Sequence, residues 1–271
     1  MMRRHLDASE WRSIAASLAL NSSVRASHCG TSTSAVISRQ PGRISIHCFK
    51  CGENRWEPNI ATLKEIAHPP VSTSLVSDLR LPKDLSYNLS APALHWLSKY
   101  GVSRDTAGSL HFATSAITQR LYMPVLKDGS WIAYQARSLN GQRPKYLNST
   151  GIAQIGSVFI GGIHASNFVV IVEDIISALR VGRLYNALST LGTQLNLEKL
   201  STCLKVFGRK TFVLWLDGDG AGVSGRRKMR RTLELHGLEV RTISTPKDPK
   251  EYTDAEVAQF VSKAMEMPIK C

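Results

Sequence analysis

Residues 212–225 read FVLWLDGDGAGVSG. The first five are apolar, β-branched or aromatic, and spell a short buried strand over 212–216. That strand runs into Asp217-Gly218-Asp219-Gly220-Ala221-Gly222. Side chains two apart on an extended chain face the same way, so both carboxylates can serve one site. The glycines allow a sharp turn and the close approach of a charged ligand. Two converging carboxylates beside open backbone suggest a Mg²⁺ site that handles phosphates. An isolated DGDG also fits a polar turn between a strand and a helix. An EF-hand is excluded, because Lys228 stands where the twelfth-position glutamate counted from Asp217 belongs.

Working outward, 168–172 (FVVIV) is a continuous apolar strand of the parallel-sheet kind, followed at once by Glu173-Asp174 and a helix over 175–184. A second βα step runs through 187–191 into Gly192-Thr193, and a helix over 197–207 leads to the strand at 212–216. A basic helix from Arg226 to His236 and a strand over 238–243 follow. This alternation predicts an α/β fold with a parallel sheet and flanking helices. In such sheets ligands gather beyond the carboxyl ends of the strands. Glu173, Asp217 and Asp219 all fall on that edge, which favours the metal site over the polar turn.

Upstream, 120–148 alternates as β structure with a hairpin turn at Lys127-Asp128-Gly129. Arg120, Arg137, Arg143 and Lys145 are interleaved there with Tyr122, Trp131, Tyr134 and Tyr146. The pattern fits a basic surface with stacking platforms for single-stranded nucleic acid or nucleotides. It equally fits a solvated sheet face whose aromatics are core. A helix is expected over 92–100, with Pro92 in its first turn and Gly101 as its stop; His95 and Trp96 read as surface and packing residues. The proline- and Ser/Thr-rich stretch from about 57 to 90 reads as a linker.

The amino-terminal part opens with a weakly amphipathic helix over 1–20. Cys48-x-x-Cys51-Gly52, entered from the alternating stretch 44–46, is a zinc-knuckle half-site. Cys29-Gly30 resembles the second ligand of a partner knuckle, but Ala26, three positions earlier, cannot bind a metal. His28 or His47 would then supply the fourth ligand; the alternative is a ribbon that has lost its metal. The five cysteines, with one close pair, speak against a disulfide framework and for reduced thiols or metal. Thirty-four Lys+Arg against 21 Asp+Glu leave a net charge of +13, which favours a polyanionic partner, nucleic acid before membrane. No run has the length of a transmembrane helix, and Asp7 and Glu10 interrupt any secretory leader, so a cytoplasmic protein is expected.

VIVEDIISALRVG (170–182) followed by LWLDGDGAG (214–222) resembles the two signature motifs of the Toprim domain. PKYLNS (144–149) is similar to a segment of the bacterial-type (DnaG-like) primase core, and it lies upstream of the glutamate as in that family. With the Cys29…Cys48-x-x-Cys51 ribbon, the order resembles a compact primase of phage or plasmid type. It implies a zinc-ribbon domain at 1–60, a linker at 61–90, a small α+β basic subdomain at 91–164 and a Toprim-type catalytic domain at 165–271. The resemblance implies synthesis of RNA primers on single-stranded DNA from ribonucleoside triphosphates. Glu173, Asp217 and Asp219 would hold two Mg²⁺ or Mn²⁺ ions, with Asp248 a weaker candidate. Arg120, Arg137, Lys145 and Asn148 would contact nucleotide or template, and Cys29, Cys48, Cys51 and His28 (or His47) would bind Zn²⁺. The ribbon would read the template start site, and a separate replicative helicase would be the partner. Gly156-Ser157-Val158-Phe159 departs from the family, many of whose members carry a basic residue there. A Toprim nuclease and a non-catalytic single-stranded DNA-binding protein are the rival readings.

Overall fold

The computed structural model describes residues 6–20, 22–29, 33–40, 42–59, 79–149 and 155–266. The chain divides into two units, Met1–Leu75 and Val76–Cys271. The expected linker segment 61–78 lies outside the described residues.

In the first unit, helix α1 (Ala8–Ser17) starts at a capping box: the Asp7 carboxylate accepts from the N–H groups of Ser9 and Glu10, and Glu10 reaches back to the N–H of Asp7. Trp11 and Ala15, four residues apart, share the face of α1 that is buried. They pack on an antiparallel sheet of β1 (Ser22–Ala26), β2 (Ala35–Gln40), β3 (Gly42–Cys48) and β4 (Asn54–Asn59), in that spatial order. Ile37 and Ile46 are directly paired across β2 and β3, and both are fully buried. Arg12 pairs with Glu57 and ties α1 to β4.

The second unit begins with α2 (Ala91–Ser98) and α3 (Arg104–Ser109). An antiparallel meander follows: β5 (Ala113–Ser115), β6 (Arg120–Lys127), β7 (Ser130–Ser138) and β8 (Tyr146–Asn148). The β6–β7 turn has positive φ at both Asp128 and Gly129, the primed geometry that suits the strand twist. Residues 84–90, which the sequence suggests are linker, are packed here. The Asp84 carboxylate accepts from the Ser115 hydroxyl and the Ile117 N–H, and Leu89 is buried.

The carboxyl-terminal portion is a five-stranded sheet in the order β13-β12-β10-β11-β9: β9 (Phe159–Gly162), β10 (Phe168–Val172), β11 (Ala187–Ser189), β12 (Thr211–Leu214) and β13 (Val240–Thr242). The last four are mutually parallel, and β9 joins β11 antiparallel as an edge strand. Helices α4 (Ile175–Gly182), α5 (Leu197–Phe207), α6 (Gly220–Leu235) and α7 (Asp254–Glu266) complete it. Strand β10 is buried on both faces: Val170 and Val172 join one cluster, Val169 and Ile171 the other. The first cluster also holds Leu97, Phe112, Leu121 and Met123, so the meander and the parallel sheet share one core. Each such aliphatic side chain contributes about 1.5–3 kcal/mol by burial.

Helix α6 begins at Gly220, earlier than the expected Arg226, because Asp219 caps it by accepting from the Gly222 N–H. Gly222 is required by crowding: a Cβ there would lie 2.1 Å from the Asp217 carbonyl oxygen and 2.7 Å from Glu173 Oε1. Gly161, Gly162 and Gly182 do the same work between β9 and α4, where added Cβ atoms would meet backbone at 2.1–2.2 Å.

Candidate metal centre and nucleic-acid interface

Glu173 and Asp217 follow the ends of the adjacent parallel strands β10 and β12. Glu173 Oε1 accepts a 3.0 Å hydrogen bond from the Asp217 N–H. Its main chain is fixed from β11, since the Ser189 hydroxyl and the Gly192 N–H both donate to the Glu173 carbonyl. Burial pushes the Glu173 carboxyl up to about 7, assisted by Asp219, Asp174 and Asp248. Asp217 is likewise pushed up to about 7, first by burial and then by Glu173. Asp217 Oδ1 is buried with no hydrogen-bond partner. Two crowded, half-buried carboxylates with an orphaned oxygen are costly when ionised, and a bound cation relieves that cost. The donor set is all oxygen, as a hard divalent cation requires.

Of the other acids of this edge, Asp219 is engaged through one oxygen, and Asp174 and Asp248 are paired with Lys250. Asp219 serves as the cap of α6. Asp174 caps α4, and its second oxygen accepts from the Ser177 hydroxyl at 2.7 Å and from Lys250 Nζ at 2.9 Å. Lys250 Nζ also lies 2.6 Å from Asp248 Oδ2. The Lys250 side chain is only 3% exposed; burial works against its charge, but Asp174 and its other neighbours raise its pKa overall.

The meander faces differ from the basic surface expected of them. Arg120 is buried and donates to the Pro144 carbonyl, a clamp between β6 and the approach to β8 rather than a surface contact. Asn148 is tied into the fold: its amide donates to the Leu191 carbonyl at 2.6 Å and its oxygen accepts from Gln135. Gln135 in turn accepts from the Ile175 N–H at the start of α4. Arg137 lies between two rings, 5.3 Å from the Trp96 centroid and 5.1 Å from that of Tyr146. Arg143 and Lys145 are exposed, and Tyr122 is core. The two readings of this stretch are thus divided between its residues.

In the first unit, the ligand atoms of His28, Cys29, Cys48 and Cys51 lie within 4.8 Å of one another. Among the described residues this is the group of three or more metal-ligating side chains so placed. His28 Nδ1 is 3.4 Å from Cys29 Sγ and 3.7 Å from Cys51 Sγ, while Nε2 is 3.2 Å from a Glu53 carboxylate oxygen. A carboxylate behind a histidine is the usual support of a metal-ligating ring. His47 instead packs edge-on against Phe49 and is not part of that group. Cys48 is held down to about 5, first by the Ser34 hydroxyl and also by the N–H groups of Cys51 and Lys50, against its burial. Cys29 is pushed up to about 12 by burial and by the competing thiols. The donor set suits tetrahedral Zn²⁺.

Residues 171–253 match the Toprim-like family model. The DNA primase of Halalkalibacterium halodurans is 31% identical over 176 residues, 60% of this chain and 28% of that protein. That of Staphylococcus aureus strain COL is 34% identical over 137 residues, 46% and 22% of the two chains. The chain therefore spans about a quarter of the length of these curated relatives. The Aquifex aeolicus primase, zinc-binding and RNA polymerase domains, superposes with a TM-score of 0.56 at 17% identity, covering 93% of this chain and 82% of that one. The chain has the DnaG-type primase fold. The RNA polymerase domain of Mycobacterium tuberculosis DnaG, with a TM-score of 0.52 at 17% identity, covers 64% of this chain and 76% of its own.

Within this primase fold, the Toprim-like sheet brings Glu173 and Asp217 together, with Asp219 one turn away as a cap. Lys250, Gln135 and Ser189 were not among the sequence candidates. Only Lys250 carried a signal, a lysine two residues after Asp248 in KDPKE. No helix among the described residues is long and apolar enough to cross a membrane.

Proposed function

We propose that this chain is a DNA primase, a nucleotidyltransferase that makes short RNA primers on single-stranded DNA from ribonucleoside triphosphates. The observation that carries this reading is the crowded pair Glu173 and Asp217, set at the carboxyl edge of a Toprim-like sheet and sharing one core with a cationic meander. Glu173, Asp217 and the free capacity of Asp219 would hold Mg²⁺ or Mn²⁺, which when bound supplies Lewis-acid activation of a 3′-hydroxyl and charge neutralisation at the phosphates. Glu173 is also placed at this edge to take the hydroxyl proton. Its fixed main chain keeps that oxygen aimed at the edge. Arg137 and Lys145 supply positive charge on the neighbouring sheet for the template or nucleotide phosphates. His28, Cys29, Cys48 and Cys51 would bind Zn²⁺ and hold the turns of the first unit, which engages the template. A separate helicase is the expected partner, in the cytoplasm.

The test gives purified protein single-stranded DNA of varied sequence, labelled ribonucleotides and Mg²⁺ or Mn²⁺. Short RNA products that vanish in an Asp217→Ala/Asp219→Ala variant are expected. DNA fragmentation instead would establish the nuclease, and binding without product on every template would establish the non-catalytic alternative.

A further inference from the structure

The buried ion-pair cluster of Lys250, Asp174 and Asp248 next to the Toprim edge has a consequence for how many cations the edge holds. Asp174 has no oxygen to spare: Oδ1 accepts from the Ile176 and Ser177 N–H groups, and Oδ2 from the Ser177 hydroxyl and Lys250 Nζ. Asp248 Oδ2 is 2.6 Å from the same ammonium. Lys250 Nζ therefore sits between two carboxylates at the distances of charge-assisted hydrogen bonds, in a pocket that leaves its side chain 3% exposed. Lys250 acts on Asp217 only through its charge and makes no hydrogen bond to it, and Asp217 Oδ1 is left without a partner.

We infer that Lys250 is a built-in cation that occupies the Asp248 side of the edge, so that the nucleotide-free protein holds one divalent ion, on Glu173, Asp217 and the unused oxygen of Asp219, and not two. Asp248 is then a partner of Lys250 and not a metal ligand. Lys250 is a positioning residue: its charge fixes Asp174, and Asp174 caps the helix that begins two residues after Glu173. This rests on the metal-dependent reading proposed above. Any second ion needed for phosphoryl chemistry would enter with the nucleotide, carried by its phosphate oxygens.

The experiment is a Mn²⁺ titration of the full chain, preloaded with Zn²⁺ and free of nucleotide, followed by electron paramagnetic resonance and calorimetry. The wild type is expected to bind one Mn²⁺. Asp248→Asn should keep that stoichiometry with affinity within about threefold, whereas Glu173→Gln should weaken it at least tenfold, the scale on which disturbing a metal's supporting groups acts. Lys250→Met, which keeps the length of the side chain and removes its charge, should admit a second Mn²⁺ on the freed Asp248. If that variant fails to fold, the Asp248→Asn and Glu173→Gln comparison decides. Two ions on the wild type, or Asp248→Asn as weak as Glu173→Gln, would overturn the inference. Primer synthesis by the same preparations separates the two levels. A wild type that makes primers yet binds two ions sinks only this inference, while one that binds no Mn²⁺ and makes no primers sinks the primase reading with it.

Discussion

Glu173→Gln should stabilise the metal-free protein while destroying its metal site. The folded chain pushes the Glu173 carboxyl from its ordinary 4.5 to about 7. A folded-state pKa above the unfolded one means that the folded chain holds the proton more tightly. The associated stability is complete below pH 4.5 and is lost as pH rises through 7. At about 1.4 kcal/mol per pH unit this is about 3 kcal/mol at face value. Glu173 is only half-buried, and solvent screening reduces the figure to about 1–2 kcal/mol. The glutamine keeps the acceptor for the Asp217 N–H and removes the charge, so it recovers that amount at pH 8 and only the smaller part of it at pH 5. For a unit of this size the gain corresponds to a rise in Tm of roughly 3–6 °C. Differential scanning calorimetry of zinc-loaded, magnesium-free wild type and variant between pH 5 and 8 reads it directly. A variant no more stable than wild type at pH 8, or a gain that does not grow with pH, would refute the claim that Glu173 is a strained carboxylate awaiting a cation. Adding Mg²⁺ should raise the Tm of the wild type and leave that of the variant unchanged.

Three further outcomes are expected. Cys48→Ser should lose its zinc by metal analysis and make residues 6–59 sensitive to protease, because the ligand atoms of four side chains converge there; a folded, zinc-free wild type would remove the ribbon assignment. Gly222→Ala forces a Cβ onto the Asp217 carbonyl and the Glu173 carboxylate, so it should cost about 1–3 kcal/mol by thermal unfolding and abolish Mn²⁺ binding. Lys145→Ala, at an exposed side chain, should weaken single-stranded DNA binding and lower the slope of log K against log salt by about 0.7, with an unchanged circular dichroism spectrum; an unchanged slope would remove Lys145 from the interface.

The parallel sheet was legible because its strands are buried on both faces and so read as unbroken apolar runs, as in 168–172 and 212–216. Helix α5 was legible to the residue because Asn196 caps it and Gly208 stops it. The start of α6 was hidden by glycines, which carry poor helix propensity; two of them, Gly222 and Gly225, are demanded by contact with Glu173 and Thr193. Strand β9 was missed because FIGG has too few side chains to show alternation, and its glycines answer to α4. At the site, acidic residues announced themselves by type, but their state did not. Whether Asp248 faces a metal or an ammonium depends on Lys250, and whether Arg120 is surface or clamp depends on where the Pro144 carbonyl comes to rest. Such facts belong to contacts between distant segments, which no local pattern records.

The hydrogen-bond chain from Asn148 through Gln135 to the Ile175 N–H bears on how this molecule can be rebuilt. A meander transplanted from a relative carries its own side chain at position 135. If that residue cannot accept, the first N–H of α4 is left buried and unpaired, at a cost of about 1–3 kcal/mol. The meander and the helix that follows Glu173 are therefore one unit of inheritance. A chimera that respects their sequence boundary but divides Gln135 from Ile175 would carry both elements and misplace the edge between them.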